Sequence, residues 1–257
     1  MTKHTRLAVL ALAMSLVLAL PGSAMALTAD GEEEHTEERT EASVEERRPE
    51  ESREEIIREL KARALEAIAR RLQTIDRLVS VIQANEHITE AHARALLVDL
   101  ADATRGLQAL AGEIEAATTL EELRELIPKI FEDYLIYELV VPKVHLVIGA
   151  DTLVDIAHRF EAVAEQLQDA INRAEEAGLD VTEAQAALDE MIEHINAAKA
   201  LAGPVPGKVL PLQPEDWPGV QEVLRSAHSA LQGAREQLRA AAAAAHAVVE
   251  ALRNAAG

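Results

Sequence analysis

Hydrophobic residues recur along most of the chain in alternating steps of three and four. Between residues 65 and 82 they are Leu65, Ile68, Leu72, Ile75, Val79 and Ile82. The same alternation returns at residues 96–114, 153–170, 184–198 and 220–252. A period near 3.5 residues places these side chains on one helix face and is typical of helices packed side by side with a left-handed supercoil. The pattern predicts helix almost everywhere from residue 56 onward.

Boundaries between the predicted helices carry recognisable signals. Thr119 with Glu122 and Thr182 with Gln185 both match the capping-box pattern that begins a helix. The stretch from Gly203 to Gly219 contains five prolines, so we expect it to be non-helical until its end and to form either a packed crossover or a functional loop.

The lengths of these helices predict an all-α fold, an elongated antiparallel helical bundle with heptad-like seams. Residues 56–257 form the bundle, with sub-sections 56–141 and 142–257 meeting near Pro142. Every second seam position of the last helix is Ala227, Ala234 or Ala241. Small residues permit close approach of a neighbouring helix, so this helix should be central in its section.

The first 26 residues have the organisation of a cleaved signal peptide. Lys3 and Arg6 precede a 14-residue apolar run from Leu7 to Leu20, and Ala24-Met25-Ala26 supplies a small-x-small cleavage pattern. The apolar run is shorter than the roughly 20 residues of a membrane-spanning helix. We therefore expect export, to a periplasmic or extracellular location, with no transmembrane anchor after cleavage.

Residues 27–55 are predicted to be a disordered acidic leader, because so few of them are apolar. The formal net charge of the chain is −20, and loss of Lys3 and Arg6 with the signal peptide brings it to about −22 with histidine neutral. This excess disfavours nucleic acid. It either serves solubility alone or favours basic partners or, more weakly, cations. The chain has no cysteine, which excludes disulfides and thiolate metal sites.

The most individual part of the sequence is the stretch Phe131–Ile148. Three of the five aromatic residues, Phe131, Tyr134 and Tyr137, stand one helical turn apart there, and a run rich in branched apolar residues follows. The β-branched density allows a strand, but the surrounding period favours a helix kinked or restarted at Pro142.

Two interpretations of this stretch remain open. A helix that is apolar on all sides is usually buried, which makes Phe131, Tyr134, Tyr137, Val144 and His145 an internal hub. Buried tyrosines should then find polar partners, and Lys143 should extend its amine to the surface. The alternative is an exposed patch that binds a partner or touches a membrane.

The same stretch carries a resemblance. Phe131, Asp133, Tyr134 and Tyr137, then Val141-Pro142-Lys143-Val144-His145 and Ala150-Asp151, resemble the pattern of a group of uncharacterised exported bacterial coiled-coil-like helical proteins. The resemblance runs from about Ile56 to Leu252. That group has no known activity, so it implies a fold and export but no site.

A metal site has one weak candidate set. Asp151, Asp155 and His158 lie at i, i+4 and i+7 on one helix face, where carboxylates and imidazole can hold zinc or iron if a second helix adds ligands. An ion pair on a solvated face explains Asp155 and His158 more simply. No cofactor is predicted.

The known short catalytic motifs, among them the phosphate-binding loop and the His-Glu-x-x-His zinc motif, are absent from the sequence. We therefore expect no enzyme, but a non-enzymatic exported structural or protein-interaction bundle with a protein partner or self-association. Two alternatives remain: a bundle that binds a small ligand or a metal, and a periplasmic holdase-like helper that uses the Phe131–Ile148 surface.

Overall fold

The computed structural model describes residues 53–257, and most of that length is helical. In chain order the α-helices are α1 (Arg53–Ala84), α2 (Glu90–Ala116), α3 (Leu120–Leu126), α4 (Lys129–Glu132), α5 (Val141–Glu176), α6 (Thr182–Ala202), α7 (Val205–Val209) and α8 (Val220–Ala256). A π-helical turn, Ile136–Val140, precedes α5, and a 3₁₀ turn, Pro214–Asp216, precedes α8. From residue 53 onward there is no strand, which confirms the all-α fold class. The predicted signal peptide and nearly all of the predicted leader lie outside the described residues.

The helices form two groups that share one hydrophobic core. Helices α5, α6 and α8 pack most extensively on one another, and α1 packs on α2, with α3 and α4 attached to α1. We call residues 53–134 the N-terminal arm and residues 141–257 the C-terminal unit. Gln168 bonds to Gln185, and Glu161 to Lys199, so α5 and α6 run in opposite directions.

Helix α8 is central to the C-terminal unit, since it contacts α5, α6 and α7. Its small residues Ala227, Ala234 and Ala241 are buried, in the positions where the sequence predicted close approach. Gly149 of α5 lies directly against the Leu231 side chain, and a Cβ at Gly149 would meet that side chain at 3.2 Å. Close contact between α5 and α8 therefore depends on small residues at the crossing.

In helix α1 the predicted seam is part of a wider buried stripe. Ile68, Ile75 and Ile82 are buried as predicted, and Leu65, Leu72 and Val79 are half-buried and pack against the core. The remaining deep positions are Ala64, Ala67, Arg71 and Leu78. Because α1 contacts α2 on one side and α3, α4 and α5 on another, its buried stripe is wider than a two-helix seam and is centred differently.

Two local predictions need correction as well. Thr119 forms its capping box with Glu122, but Thr182 does not cap α6, and its N–H instead donates to Asp180 Oδ1 at 3.0 Å. The proline-rich connection is also partly helical, since α7 forms within it. Pro206 lies in the first turn of α7, where the missing N–H leaves no bond unmade. Val205, Pro206 and Val209 are buried, so the connection is a packed crossover.

Among the helices from residue 53 onward, none combines the length and the apolar character needed to cross a bilayer.

The buried positions of α5 permit a direct test of the core. Leu167 is buried, whereas its neighbour Gln166 is exposed. We expect Leu167→Asp to destabilise the protein by at least about 4 kcal/mol, because it removes apolar burial and strands a carboxylate. Gln166→Asp should change the free energy of unfolding by less than about 0.5 kcal/mol. Urea denaturation followed by circular dichroism measures both, and equal midpoints would contradict the assigned core.

Candidate functional site

The stretch Phe131–Ile148 lies where the N-terminal arm meets the C-terminal unit, and its backbone is unusual. After α4, Leu135 adopts a left-handed conformation with φ 40° and ψ 47°. For a leucine this conformation costs roughly 1–2 kcal/mol, since its Cβ crowds the following carbonyl. The Leu135 carbonyl accepts from Leu139 N at 2.8 Å and from Val140 N at 3.1 Å, and the second bond makes the π-helical turn. Helix α5 follows, with Pro142 in its first turn.

Most of this stretch is buried or half-buried. Ile136, Leu139, Val144 and Val147 are almost fully buried, while Phe131, Tyr134, Tyr137 and His145 are half-buried. The β-branched run is helical rather than a strand, and it fills the junction between the two helix groups. Burying a residue such as Val or Leu is worth roughly 1.5–3 kcal/mol, which explains why the structure does not leave this run in water.

Arg71 of α1 enters the junction from the arm and is only 4% exposed. Its guanidinium carbon lies 4.4 Å from the centre of the Phe131 ring and 5.2 Å from that of Tyr137. Arg71 also donates to the Ala67 carbonyl at 3.2 Å. The negative faces of the two rings stabilise the buried cation, so α1 is bound to the stretch by cation–π contacts as well as by apolar packing.

Tyr134 packs against the backbone of α2 at Gly106. A Cβ on residue 106 would stand 2.5 Å from the Tyr134 hydroxyl and 2.6 Å from a ring carbon, so only glycine leaves room for the ring. Burial raises the pKa of Tyr134 above 10.0, with smaller contributions from the Asp133 and Glu113 carboxylates. Tyr134 thus fixes the position of α2, as the Phe131 ring fixes that of α1.

Lys143 was expected to reach the surface, and that prediction is wrong. The residue is 3% exposed, and its Nζ donates to Asp99 Oδ2 at 2.9 Å, to the Leu210 carbonyl at 3.2 Å and to the Leu212 carbonyl at 2.5 Å. An ammonium has three N–H groups, and here each has an acceptor. Because the amine is fully bonded inside the protein, it does not need water, and it ties α5 to α2 and to the crossover.

Two histidine–aspartate pairs extend this polar contact along α5. His92 Nδ1 lies 2.8 Å from Asp151 Oδ2, and Asp151 also accepts from the Thr89 backbone N–H at 2.8 Å. His87 Nδ1 lies 2.9 Å from Asp155 Oδ2. With ionised carboxylates, each contact requires a proton on Nδ1 of the imidazole. Both histidines come from the connection and first turn between α1 and α2, so the pairs bind the arm to α5.

The weak metal candidates are not brought together as a site. Asp151 is buried and Asp155 is half-buried, and each is bonded to the arm. Asp155 also pairs with Arg159 at 2.8 Å, whereas His158 is exposed. Within the described residues 53–257 there is no group of three or more His, Cys, Asp or Glu side chains placed to hold a metal ion. Asp151 and Asp155 join α5 to the arm.

Sequence reasoning missed the partners that complete the junction. Arg71, Asp99, His87 and His92 were not selected, because each lies far along the chain from its partner. One signal was present: Arg71 stands between Ile68 and Ile75 on the buried stripe of α1, where a charged residue is uncommon.

Comparison of the chain with protein-family models, with curated proteins and with solved structures finds no match.

Two glycines of α2 give a matched test of the Tyr134 contact. Gly106→Ala should destabilise the protein by about 1–2 kcal/mol, because the new Cβ displaces the Tyr134 ring. Gly112→Ala, where a Cβ meets nothing within 4 Å, should stabilise it by about 0.5–1 kcal/mol through helix propensity. In a Tyr134→Ala background, Gly106→Ala should lose its penalty in thermal or urea denaturation. A penalty that persists there would place its origin elsewhere.

His145 predicts a pH dependence of stability. Burial lowers its pKa below the ordinary 6.5, so the unfolded chain takes up this proton more readily than the folded protein. Above the ordinary pKa of 6.5 the buried, neutral imidazole does not reduce the free energy of unfolding. As the pH falls from 6.5 toward the lowered pKa of the folded protein, protonation of the unfolded chain reduces that free energy. Between pH of about 8 and about 5, His145→Leu should therefore lose less stability than the parent. Exposed His158→Leu is the control, and an acid sensitivity equal in all three proteins would contradict the assignment.

Proposed function

We propose that the protein is an exported, non-enzymatic interaction scaffold whose rigid helices present an acidic exterior to a basic protein partner. Export rests on the sequence of the first 26 residues, and the scaffold is the elongated antiparallel bundle with heptad-like seams. The support for a scaffold is the junction itself, where apolar, aromatic and charged groups all serve to hold helices together.

The single observation that carries the proposal is the charge of the α5–α6 hairpin. Between residues 161 and 193 ten residues are acidic, and Arg173 is the single basic one. All but one of these acidic side chains are solvent-exposed, and the exception, Glu161, pairs with Lys199. Like charges gathered on one hairpin produce a field that attracts a partner of opposite sign.

Burial of the Phe131–Ile148 stretch argues against the holdase-like alternative. A holdase needs a wide exposed apolar surface for its clients. In the described residues the large apolar side chains that remain exposed are Val81, Val98, Ile192, Leu201 and Trp217. They are distributed over α1, α2, α6 and the crossover, which is the ordinary scatter of a protein surface.

The ligand- or metal-binding alternative has weaker support than the scaffold. It began from Asp151 and Asp155, and both carboxylates are committed to the arm through His92 and His87. A ligand that needed these carboxylates would have to displace the bonds that hold the two helix groups together.

A charge-neutralised variant tests the proposed partner class. The hairpin variant combines Asp169→Asn, Glu176→Gln, Glu183→Gln and Glu190→Gln, all at exposed positions. The matched control combines Asp76→Asn, Glu86→Gln, Glu113→Gln and Glu125→Gln, exposed residues of the arm with the same total change in charge.

Tagged full-length proteins would be cross-linked in the native envelope, and the captured proteins identified by mass spectrometry. We expect a basic partner captured by the parent and the control, with capture by the hairpin variant reduced at least about tenfold and sensitive to salt. Equal capture by all three proteins would contradict the hairpin as the binding surface, and capture of acidic proteins alone would contradict the partner class.

A further inference from the structure

The backbone strain of the molecule coincides with the boundary between its two helix groups. Leu135 is the one non-glycine residue with positive φ in the described part of the chain, and the π-helical turn Ile136–Val140 follows it directly. Strained residues cluster at functional sites and switch regions, and π-helical turns are frequent at functional sites. Here they occupy the single connection between the N-terminal arm and the C-terminal unit.

Several side chains on either side of this connection contact residues of their own group. Before it, Phe131 lies on Arg71 and Tyr134 lies on Gly106, all within the arm. After it, Leu139 packs with Leu212, Val220 and Leu224 of the C-terminal unit. The Tyr137 ring is shared, since it also approaches Arg71. The chain therefore changes from one group to the other within the few residues from Leu135 to Val140.

Besides the apolar core that the two groups share, the arm is held on α5 by polar bonds whose arm-side partners are half-exposed. The pairs are Asp99 with Lys143, His92 with Asp151 and His87 with Asp155. The side chains of Asp99, His92 and His87 retain 34%, 29% and 32% exposure. These pairs are side-chain hydrogen bonds that join α2 and the connection before it to α5. Solvent can compete for such bonds more readily than for buried apolar packing.

From this geometry we propose that Leu135–Val140 is a hinge on which the N-terminal arm opens from α5, and that Asp99, His92 and His87 are the latch that keeps the arm closed. Such a hinge is a property beyond the proposed scaffold function and does not depend on the acidic hairpin. Opening uncovers the interior face of α5 near Val144 and Val147, which is almost fully buried in the closed state. The strength of the latch sets the population of the open state.

Distances between two spin labels, measured by double electron–electron resonance in the full-length protein, test the hinge. Because the chain has no cysteine, an added pair carries the only labels. Val98→Cys with Ile192→Cys, both exposed, spans the hinge from α2 to α6, and Val98→Cys with Glu125→Cys lies within the arm. The latch variant is His87→Ala, His92→Ala and Asp99→Ala, all on the arm, so that the C-terminal unit is unaltered.

In the latch variant we expect a second, longer distance across the hinge, present in at least about a tenth of the molecules. The distance within the arm should not change. The matched control is Glu161→Ala, Gln168→Ala and His194→Ala, which removes polar bonds among α5, α6 and α8. That control should retain the single parental distance.

A single unchanged distance across the hinge in the latch variant would overturn the proposal, as would an equal effect of the control variant or a change within the arm. Far-UV circular dichroism monitors folding. If the triple variant loses helix, the measurement is made on His87→Ala alone, since Asp155 keeps its pair with Arg159 in that protein. A longer distance in this single variant supports the hinge, and its absence rejects it.

Discussion

The structure depends on one constraint, namely that the run from Phe131 to Ile148 is apolar on more than one side of a helix. One neighbouring helix covers a single face, so such a run needs packing from two directions. The arm supplies one side, through α1 and α2, and α8 with the crossover supplies the other. The division into two helix groups, and their meeting near Pro142, follow from the need to bury this run.

Polar groups in the junction then determine how the two groups are aligned. Apolar packing tolerates sliding of one helix along another, whereas a buried ammonium does not, because a small shift would leave it without acceptors. Lys143 is bonded to α2 and to two carbonyls of the crossover, so three elements meet in one register. Arg71 between Phe131 and Tyr137 fixes α1 in the same way. The strain at Leu135 is tolerated because these contacts over-determine the chain on both sides of it.

The periodicity predicted the helices well, since the spacing of apolar residues along the sequence indicates which face a helix buries. It predicted the centre of that face less well, as Leu72 and Arg71 show, because the centre depends on how many neighbours the helix has. Lys143 was misplaced for the same reason, since local sequence does not reveal an acceptor at Asp99 or in the crossover. His87 and His92 could not be assigned to Asp155 and Asp151 by spacing, which shows which residues share a face but not which face lies opposite.

The acidic composition of the protein favours the burial of its two interior cations. Moving an ammonium or guanidinium out of water is costly, and Arg71 and Lys143 are the deeply buried basic residues of the described chain. In a protein with a net charge of −20, the surrounding carboxylates create a negative potential that lowers the cost of burying a cation and raises that of burying an anion. Asp151, the one buried carboxylate among the described residues, is accordingly bonded to the backbone N–H of Thr89 and to the imidazole of His92. The buried cations and the surface carboxylates thus attract one another. The acidic exterior therefore contributes to the stability of the junction as well as to the surface offered to a partner.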